Sequence, residues 1–190
     1  MVISSLQVRV CGVVLVILGV FTSYVRGRVT QTKTVDHKQF TVVGISARTN
    51  NAREAVDNGV IAKLWGKFYK DGIFDKIPNK AGTDIYVVYS DYATARNGDY
   101  DYTIGAKVSD ASAVPSGMVA KAVSAGTYAV VTSQRGPIPK INVEAWQRIW
   151  DLEDQAKLGG KRAYKTDFEL YDQRARDRQD SQIDIYVGVK

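Results

Sequence analysis

Two stretches of the sequence carry apolar side chains at helical spacing, and strand-like segments flank both. In the first stretch, four apolar residues recur at intervals of three and four: Ile61, Leu64, Trp65 and Phe68. This spacing is typical of an amphipathic helix that packs on a core. The second stretch extends from about Asn142 to Leu158, and Gly159 provides its C-terminal cap. A chain with two such helices between strands must bury both apolar stripes against a sheet.

Seven segments have the alternating or continuous apolar character of strands. They are residues 40–46, 84–89, 100–108, 118–124, 128–131, 164–171 and 183–189. Asn97-Gly98 predicts a hairpin turn, and the break at Pro115-Ser116-Gly117 divides the chain in two. Each half then contains strands and one helix. We therefore predict an α+β fold with an antiparallel sheet, both helices on one face, and a structural duplication.

The formal charge of +6 comes mainly from the N-terminal part of the chain. Residues 1–35 contain four basic residues and no acidic residue, which leaves 22 basic against 20 acidic residues in the rest. A nearly neutral domain is a poor electrostatic match for a polyanion. We therefore expect no direct binding to nucleic acid.

An apolar run of twelve residues, 10–21, lies between Arg9 and Arg26. A bilayer span needs about 20 apolar residues, and no small-residue cleavage site follows the run. Three interpretations remain open: an export signal, a membrane anchor in contact with the bilayer through residues 10–25, or an upstream extension. We assign residues 1–35 to this leader and linker and residues 36–190 to the folded domain. The domain is expected in the cytoplasm, unless the leader anchors or exports it.

The sequence contains one cysteine, Cys11, and one histidine, His37. This scarcity excludes an internal disulfide and a cysteine-based zinc site, and no nucleotide-binding or zinc-hydrolase motif is present. His37 is interpreted as a solvated residue before the first strand. We expect no metal ion and no cofactor, and we assign no catalytic residue. Any chemistry must use carboxylates, hydroxyls or amines.

Aromatic residues are abundant, with eleven tyrosines, five phenylalanines and three tryptophans. Among the strand-like segments, residues 167–171 read Asp-Phe-Glu-Leu-Tyr. Strand alternation places Glu169 on the same face as Asp167 and Tyr171, opposite Phe168 and Leu170. A glutamate in the middle of such a strand either faces solvent or is held for a cationic ligand. Alternation alone does not decide between the two.

Seven segments, in the same order, resemble the effector-binding domains of AraC-type and MerR-type multidrug regulators and of gyrase-inhibitor-like proteins. They are residues 40–50, 61–68, 85–92, 115–117, 125–130, 146–150 and 167–171. The strongest are Trp-Gln-Arg-Ile-Trp at 146–150 and Asp-Phe-Glu-Leu-Tyr at 167–171. The resemblance is greatest to the stand-alone integron-associated effector-binding proteins, and it extends from Phe40 to Lys190.

The resemblance implies a fold of duplicated β-α-β-β halves with a central ligand cleft. It also implies that Glu169 is the acid of an aromatic pocket that binds lipophilic cationic small molecules. The ligand-binding aromatic residues are then expected among the helix stripes and the strand centres: Trp65, Phe68, Tyr86, Tyr102, Tyr128, Trp146, Trp150 and Tyr171. Regulators of this class carry a helix-turn-helix domain, whereas this chain has the apolar leader in that position. Any control of transcription would then act through a separate protein partner.

Two alternatives to simple binding remain. Some gyrase-inhibitor-like proteins hydrolyse reactive small molecules, and Glu169 would then serve as the general base for water. A protein-interaction module is the other alternative. Binding is favoured over both alternatives on the strength of the resemblance, which implies a pocket for a cation.

Overall fold

The computed structural model describes residues 32–56 and 59–190. The leader, up to residue 31, lies outside these described residues. None of the described helices is long and apolar enough to cross a membrane. The interpretation of the leader as signal, anchor or extension therefore stays a prediction.

Eight strands and four helices make up the described part of the chain. The strands are β1 (Lys33–His37), β2 (Phe40–Thr49), β3 (Ile85–Ser90), β4 (Tyr100–Val108), β5 (Val119–Val123), β6 (Gly126–Thr132), β7 (Arg162–Tyr171) and β8 (Asp184–Val189). The helices are α1 (Asn51–Glu54), α2 (Ile61–Lys70), α3 (Ile73–Lys76) and α4 (Ile138–Asp154). A short 3-10 turn, Gln173–Ala175, follows β7.

The eight strands form one antiparallel sheet in the order β1-β6-β8-β7-β3-β4-β2-β5. The middle of the sheet is the pair β3 and β7. The strand order is symmetric about this pair. Outward from β3 come β4 and β2, and outward from β7 come the equivalent strands β8 and β6. Each half is thus a strand, a helix and two strands. The α+β fold and its duplicated β-α-β-β halves are confirmed.

The strand that precedes each half pairs with the other half. β1 precedes β2 in the chain but pairs with β6, whereas β5 precedes β6 and pairs with β2. Lys33, Thr34 and Val35 therefore belong to the sheet, although the sequence analysis places them in the linker. A short edge strand with a lysine and an aspartate lacks the apolar pattern that distinguishes a strand from a linker.

The duplication is also visible in the sequences of β4 and β8. Asp-x-x-Ile-Gly-x-Lys at 101–107 corresponds to Asp-x-x-Val-Gly-x-Lys at 184–190. A Cβ atom on Gly105 would lie 2.0 Å from the carbonyl oxygen of Val43, and one on Gly188 would lie 2.8 Å from that of Thr166. Glycine is required at both positions because neighbouring backbone passes too close for a side chain.

Both long helices pack on the same face of the sheet, as predicted. Phe68 of α2 and Ile149 of α4 lie in one core cluster with Ile104 of β4 and Ile185 of β8. We call this the helix face.

The opposite face carries a second aromatic cluster. There Phe168 stacks on Tyr186 at a ring-centre distance of 4.3 Å. The His37 ring packs edge-on against both of these rings, at 5.4 and 5.2 Å. Burial, and then the charge of Lys107, lower the pKa of His37. His37 was expected to be solvated before the first strand; it is half-buried at the end of β1, because the pairing of β1 with β6 places its ring on this face.

Helix α4 begins four residues before the start predicted from the sequence. It starts at Ile138, and Pro139 lies in its first turn. Proline is compatible with the first positions of a helix because their N–H groups have no partner within the helix. The earlier start places Asn142 in the second turn, one helical turn before Trp146.

Candidate ligand-binding cleft

Glu169 lies near the C-terminal end of β7, between Val87 of β3 and Ile185 of β8. Its side chain points to the helix face and has no solvent exposure (0%). Four side chains donate hydrogen bonds to the carboxylate: Tyr89 (2.7 Å), Trp146 (2.7 Å) and Asn142 (2.9 Å) to Oε1, and Tyr171 (2.7 Å) to Oε2. Strand alternation left open whether Glu169 faces solvent. The structure shows that its carboxylate is buried.

All four donors of Glu169 are uncharged groups. A hydrogen bond to a charged group contributes about 1.5–3 kcal/mol, so four of them offset a burial penalty of several kcal/mol. Burial, and then the charge of Glu169, raise the pKa values of Tyr89 and Tyr171 well above that of free tyrosine. Both hydroxyls therefore keep their protons and remain donors. Hydrogen bonds from these four neutral groups therefore stabilise the negative charge of Glu169, and none of the four is a cation.

A second buried carboxylate, Asp167, lies on the same face and has a different environment. Its Oδ2 accepts from Arg162 Nη2 at 2.6 Å and from the Tyr92 hydroxyl at 2.6 Å. The N–H of Gly188 donates to Oδ1 at 2.8 Å. The charge of Asp167 is therefore paired with a cation inside the protein, unlike that of Glu169.

The guanidinium of Arg162 lies among aromatic rings, 4.4 Å from the ring centre of Tyr164 and 5.4 Å from that of Trp146. Burial opposes its charge, but the Asp167 carboxylate raises the pKa of Arg162. Its Nε is buried and has no hydrogen-bond partner in the described part of the chain. Trp146 thus contacts a buried cation with its ring and donates to a buried anion with its N–H.

A cleft between α2 and α4 lies above these groups and has two lobes. The first lobe has a volume of about 450 Å³. Its lining is mostly aromatic and apolar, with three charged side chains: Asn51, Glu54, Ala55, Ile61, Ala62, Tyr89, Tyr92, Arg96, Tyr100, Asn142, Val143, Trp146, Gln147, Trp150 and Arg162. Three of these, Tyr89, Asn142 and Trp146, are donors to Glu169. The carboxylate therefore lies directly beneath the wall of this lobe.

The second lobe, of about 480 Å³, lies on the other side of Asn142. It is lined by Ile61, Ala62, Trp65, Gly66, Tyr69, Tyr102, Ile138, Pro139, Asn142, Val143, Tyr171 and Arg178. Trp65 stacks on Tyr69 at a ring-centre distance of 5.6 Å and donates from Nε1 to the Tyr102 hydroxyl at 2.9 Å. Ile61, Ala62, Asn142 and Val143 line both lobes, which therefore adjoin each other at these residues.

The structure places most of the predicted aromatic residues around Glu169. Trp146 and Tyr171 bond to it directly, Trp65 and Tyr102 line the second lobe, and Trp150 lines the first. Phe68 packs beneath Trp65 at 5.8 Å but lines neither lobe. It supports the wall of the cleft from the core.

Tyr86 and Tyr128 do not lie with Glu169. Tyr86 pairs with Leu170 in the sheet, and Tyr128 packs against Phe168, so both are on the face opposite the helices. Each is central in its strand, and its predicted role depends on that position. Position along a strand does not decide which face a side chain occupies, because successive residues alternate between faces.

The sequence interpretation missed Tyr89, Tyr92, Tyr100 and Asn142. Tyr89 pairs with Asp167, two residues from Glu169, but this register is set only when β3 and β7 meet in the sheet. Asn142 is recognisable from the sequence, because it precedes Trp146 by one helical turn and so shares its face.

No group of three or more metal-ligating side chains lies together in the described parts of the chain. The charged groups of the cleft are two carboxylates with neutral donors, Glu54 in its wall and Glu169 beneath it, and guanidinium groups that are mostly ion-paired. This arrangement favours the binding of an organic cation by aromatic faces and a buried negative charge.

Residues 33–189 match the family model described as integron-associated effector binding protein. The chain belongs to this family. This effector-binding protein is 35% identical over 158 residues to the putative transcriptional regulator protein YobU of Bacillus subtilis (strain 168). The match covers 82% of this chain and 94% of YobU.

Solved structures also resemble this effector-binding protein. The integron cassette protein VCH_CASS2, from the mobile metagenome of Vibrio cholerae, has a TM-score of 0.69 and 25% identity, with coverage of 85% of this chain and 97% of that one. SAV2435, solved with bound tetraphenylphosphonium, has a TM-score of 0.69 and 19% identity and covers 84% of this chain. The match covers 94% of SAV2435. These similarities confirm the effector-binding fold.

Proposed function

We propose that the cleft between α2 and α4 captures lipophilic organic cations. The observation that carries this proposal is the Glu169 carboxylate, fully buried beneath an aromatic cleft and bonded, within the described part of the chain, by four neutral donors. A charge held in this way attracts a cation that has a low cost of desolvation. Delocalised or shielded organic cations have that property, whereas small hydrated ions do not.

The aromatic walls supply the second part of the attraction. A cation over an aromatic face gains about 0.5–2 kcal/mol per contact, depending on how well water is excluded. Tyr92, Tyr100 and Trp150 present such faces in the first lobe. Since few directional groups line the cleft, we expect it to accept cations of different shape rather than one compound.

A fold neighbour supports the same class of ligand. SAV2435 was solved with tetraphenylphosphonium, a cation whose charge is enclosed by four phenyl rings. The likeness at 19% identity concerns the fold, so the proposal for this chain depends on its own buried carboxylate and aromatic walls. Capture of a cation serves either to sense it, through a separate protein partner, or to sequester it.

Titration of the full chain with tetraphenylphosphonium in a calorimeter tests the proposal. Two unit charges about 7 Å apart at an effective dielectric constant near 20 attract by roughly 2 kcal/mol. Glu169→Gln retains the shape of the side chain and removes its charge, so we expect Kd to rise about 30-fold. Glu144→Gln is the matched control, because Glu144 is exposed on α4 and lines neither lobe.

Equal affinities for the wild type and Glu169→Gln would contradict the proposal, provided that thermal unfolding shows both proteins folded. The hydrolase alternative is separated by incubation with an electrophilic cation followed by mass spectrometry. Capture predicts that the compound is recovered unchanged, whereas turnover that depends on Glu169 would favour hydrolysis.

A further inference from the structure

Arg178 reaches the second lobe of the cleft from the loop between β7 and β8. Its guanidinium carbon lies 5.1 Å from the centre of the Tyr69 ring, and the residue is exposed. In the described part of the chain, no carboxylate oxygen lies within 4.0 Å of its guanidinium nitrogens. Arg178 therefore presents a positive charge to the lobe without an ion-pair partner among these residues.

Backbone hydrogen bonds define the position of Arg178. Its carbonyl oxygen accepts from the N–H of Ile138, the first residue of α4, at 3.0 Å. Three residues further on, Ser181 exchanges two backbone bonds with Gly136, at 2.9 and 3.0 Å. Arg135 also binds the carboxylate of Asp180. The loop thus holds Arg178 beside the N-terminus of α4, at the second lobe.

The first lobe has the opposite electrostatic character. Glu54 lines it, and its carboxylate accepts from the backbone N–H groups of Val60 (3.0 Å) and Ile61 (3.2 Å), which are neutral. Glu169 also has neutral donors and lies beneath both lobes, since Tyr89 and Trp146 line the first, Tyr171 lines the second and Asn142 lines both. Two anionic groups of this lobe therefore have no cation among these bonded partners.

The two arginines of the first lobe are compensated by carboxylates. Arg96 pairs with Glu153 and Asp154 at 3.1 and 2.6 Å. Arg162 pairs with Asp167 at 2.6 Å. The first lobe is therefore negative on balance, whereas the charged side chain that lines the second lobe is Arg178.

We propose that the preferred ligand is a lipophilic zwitterion, with its cationic centre in the first lobe and a carboxylate or similar anionic group bound by Arg178 in the second. This rests on the proposed capture of cations and adds the second charge. The apolar tether between the two charges would pass Ile61, Ala62 and Val143, which line both lobes. The planar guanidinium offers paired N–H donors that match a carboxylate.

A matched pair of phosphonium ions tests the proposal. Pentyl-triphenylphosphonium is a monocation, and carboxybutyl-triphenylphosphonium is the zwitterion of nearly equal length at neutral pH. Calorimetric titration of the full chain gives the ratio of the two Kd values for each variant. In Arg178→Met, the zwitterion loses an exposed ion pair. We therefore expect its Kd, relative to that of the monocation, to rise by roughly two- to five-fold. The monocation should bind Arg178→Met as tightly as the wild type, or more tightly.

Two controls separate this effect from general changes in charge. Arg176→Met removes the same charge from the same loop, but Arg176 is exposed and lines neither lobe, so the ratio should remain that of the wild type. Arg178→Lys keeps the charge and should retain most of the preference.

The possible failures are distinguishable. If both phosphonium ions bind and the ratio is the same in the wild type, Arg176→Met and Arg178→Met, the zwitterion proposal is overturned while cation capture stands. If neither ion binds the wild type, cation capture is overturned and the zwitterion proposal with it.

Discussion

Trp146 connects the two buried charges at the scale of single residues. Its Nε1 donates to Glu169 at 2.7 Å, and its ring lies 5.4 Å from the guanidinium of Arg162. One side chain therefore stabilises an anion at its edge and a cation at its face, in accord with the quadrupole of an aromatic ring. Trp150, one turn further along α4, lines the same lobe without a hydrogen bond to either charge.

This difference predicts distinct effects for two Trp→Phe variants. Trp150→Phe should keep the stability of the wild type and remove most of the change in tryptophan emission on binding of tetraphenylphosphonium. Trp146→Phe leaves Glu169 without one donor, so it should lower the free energy of unfolding by about 1–3 kcal/mol and weaken binding as well. Urea unfolding and fluorescence titration measure the two effects. An unchanged emission response in Trp150→Phe would place the ligand away from this indole.

At the scale of elements, the edge strand β1 determines where the domain starts. Lys33–His37 pairs with β6 over five residues, including Lys33 with Val130 and His37 with Gly126. The Thr32 hydroxyl adds a bond to the carbonyl oxygen of Lys157 at 3.0 Å. A boundary at residue 36 therefore removes three of the five residues of β1. No other strand is then available to pair with that edge of β6.

Two truncated chains test this boundary. A chain that starts at Thr32 should unfold at the temperature of the full chain and bind tetraphenylphosphonium with the same Kd. A chain that starts at Asp36 should unfold at a lower temperature, since most of the β1–β6 ladder is lost and one edge of β6 is unpaired. Differential scanning calorimetry compares them with the full chain. Equal unfolding temperatures for all three would show that β1 adds nothing to stability.

At the scale of the whole molecule, the duplicated halves meet where their central strands pair, and the site lies at that junction. Tyr89 comes from the first half, whereas Trp146, Glu169 and Tyr171 come from the second. Neither half alone assembles the carboxylate with all of its donors. The site and the native pairing of β3 with β7 are therefore formed together.

The buried tyrosines make the stability of the molecule sensitive to alkaline pH. Burial, and then a neighbouring carboxylate, raise the pKa values of four tyrosines well above 10.0: Tyr89, Tyr92, Tyr102 and Tyr171. Because the unfolded chain ionises them at their usual pKa, their contribution is complete below about pH 10 and is lost as the pH rises further.

Urea unfolding from pH 8 to 12 measures this loss, together with tyrosinate absorbance. We expect the free energy of unfolding to be steady to about pH 10 and then to fall, with late tyrosinate formation that coincides with unfolding. In Tyr89→Phe, the free energy of unfolding should fall less steeply with pH above pH 10. Independent titration of all the tyrosines near their usual pKa, with the protein still folded, would contradict the buried network.

The sequence determined the two long helices, the face that each presents and seven of the eight described strands, because these depend on local spacing, whereas β1 lacks such a pattern. The stripe of Ile61, Leu64, Trp65 and Phe68 predicts α2, and alternation along 100–108 predicts β4 with its bounds as observed. Alternation also placed Glu169 and Tyr171 on one face. The order of the elements predicted a structural duplication, and the resemblance to effector-binding domains supplied the cleft, which no local pattern contains.

Only the tertiary structure decided which residues meet across strands. The register of β3 on β7 selects Tyr89 rather than Tyr86 as the partner of Glu169, and a shift of one residue would reverse that choice. The pairing of β1 with the second half places the half-buried His37 ring against an aromatic cluster. Arg178 is 109 positions from Tyr69 in the chain, and only the folded loop brings its charge to the cleft. These contacts depend on long-range pairing, and local sequence spacing carries no information about it.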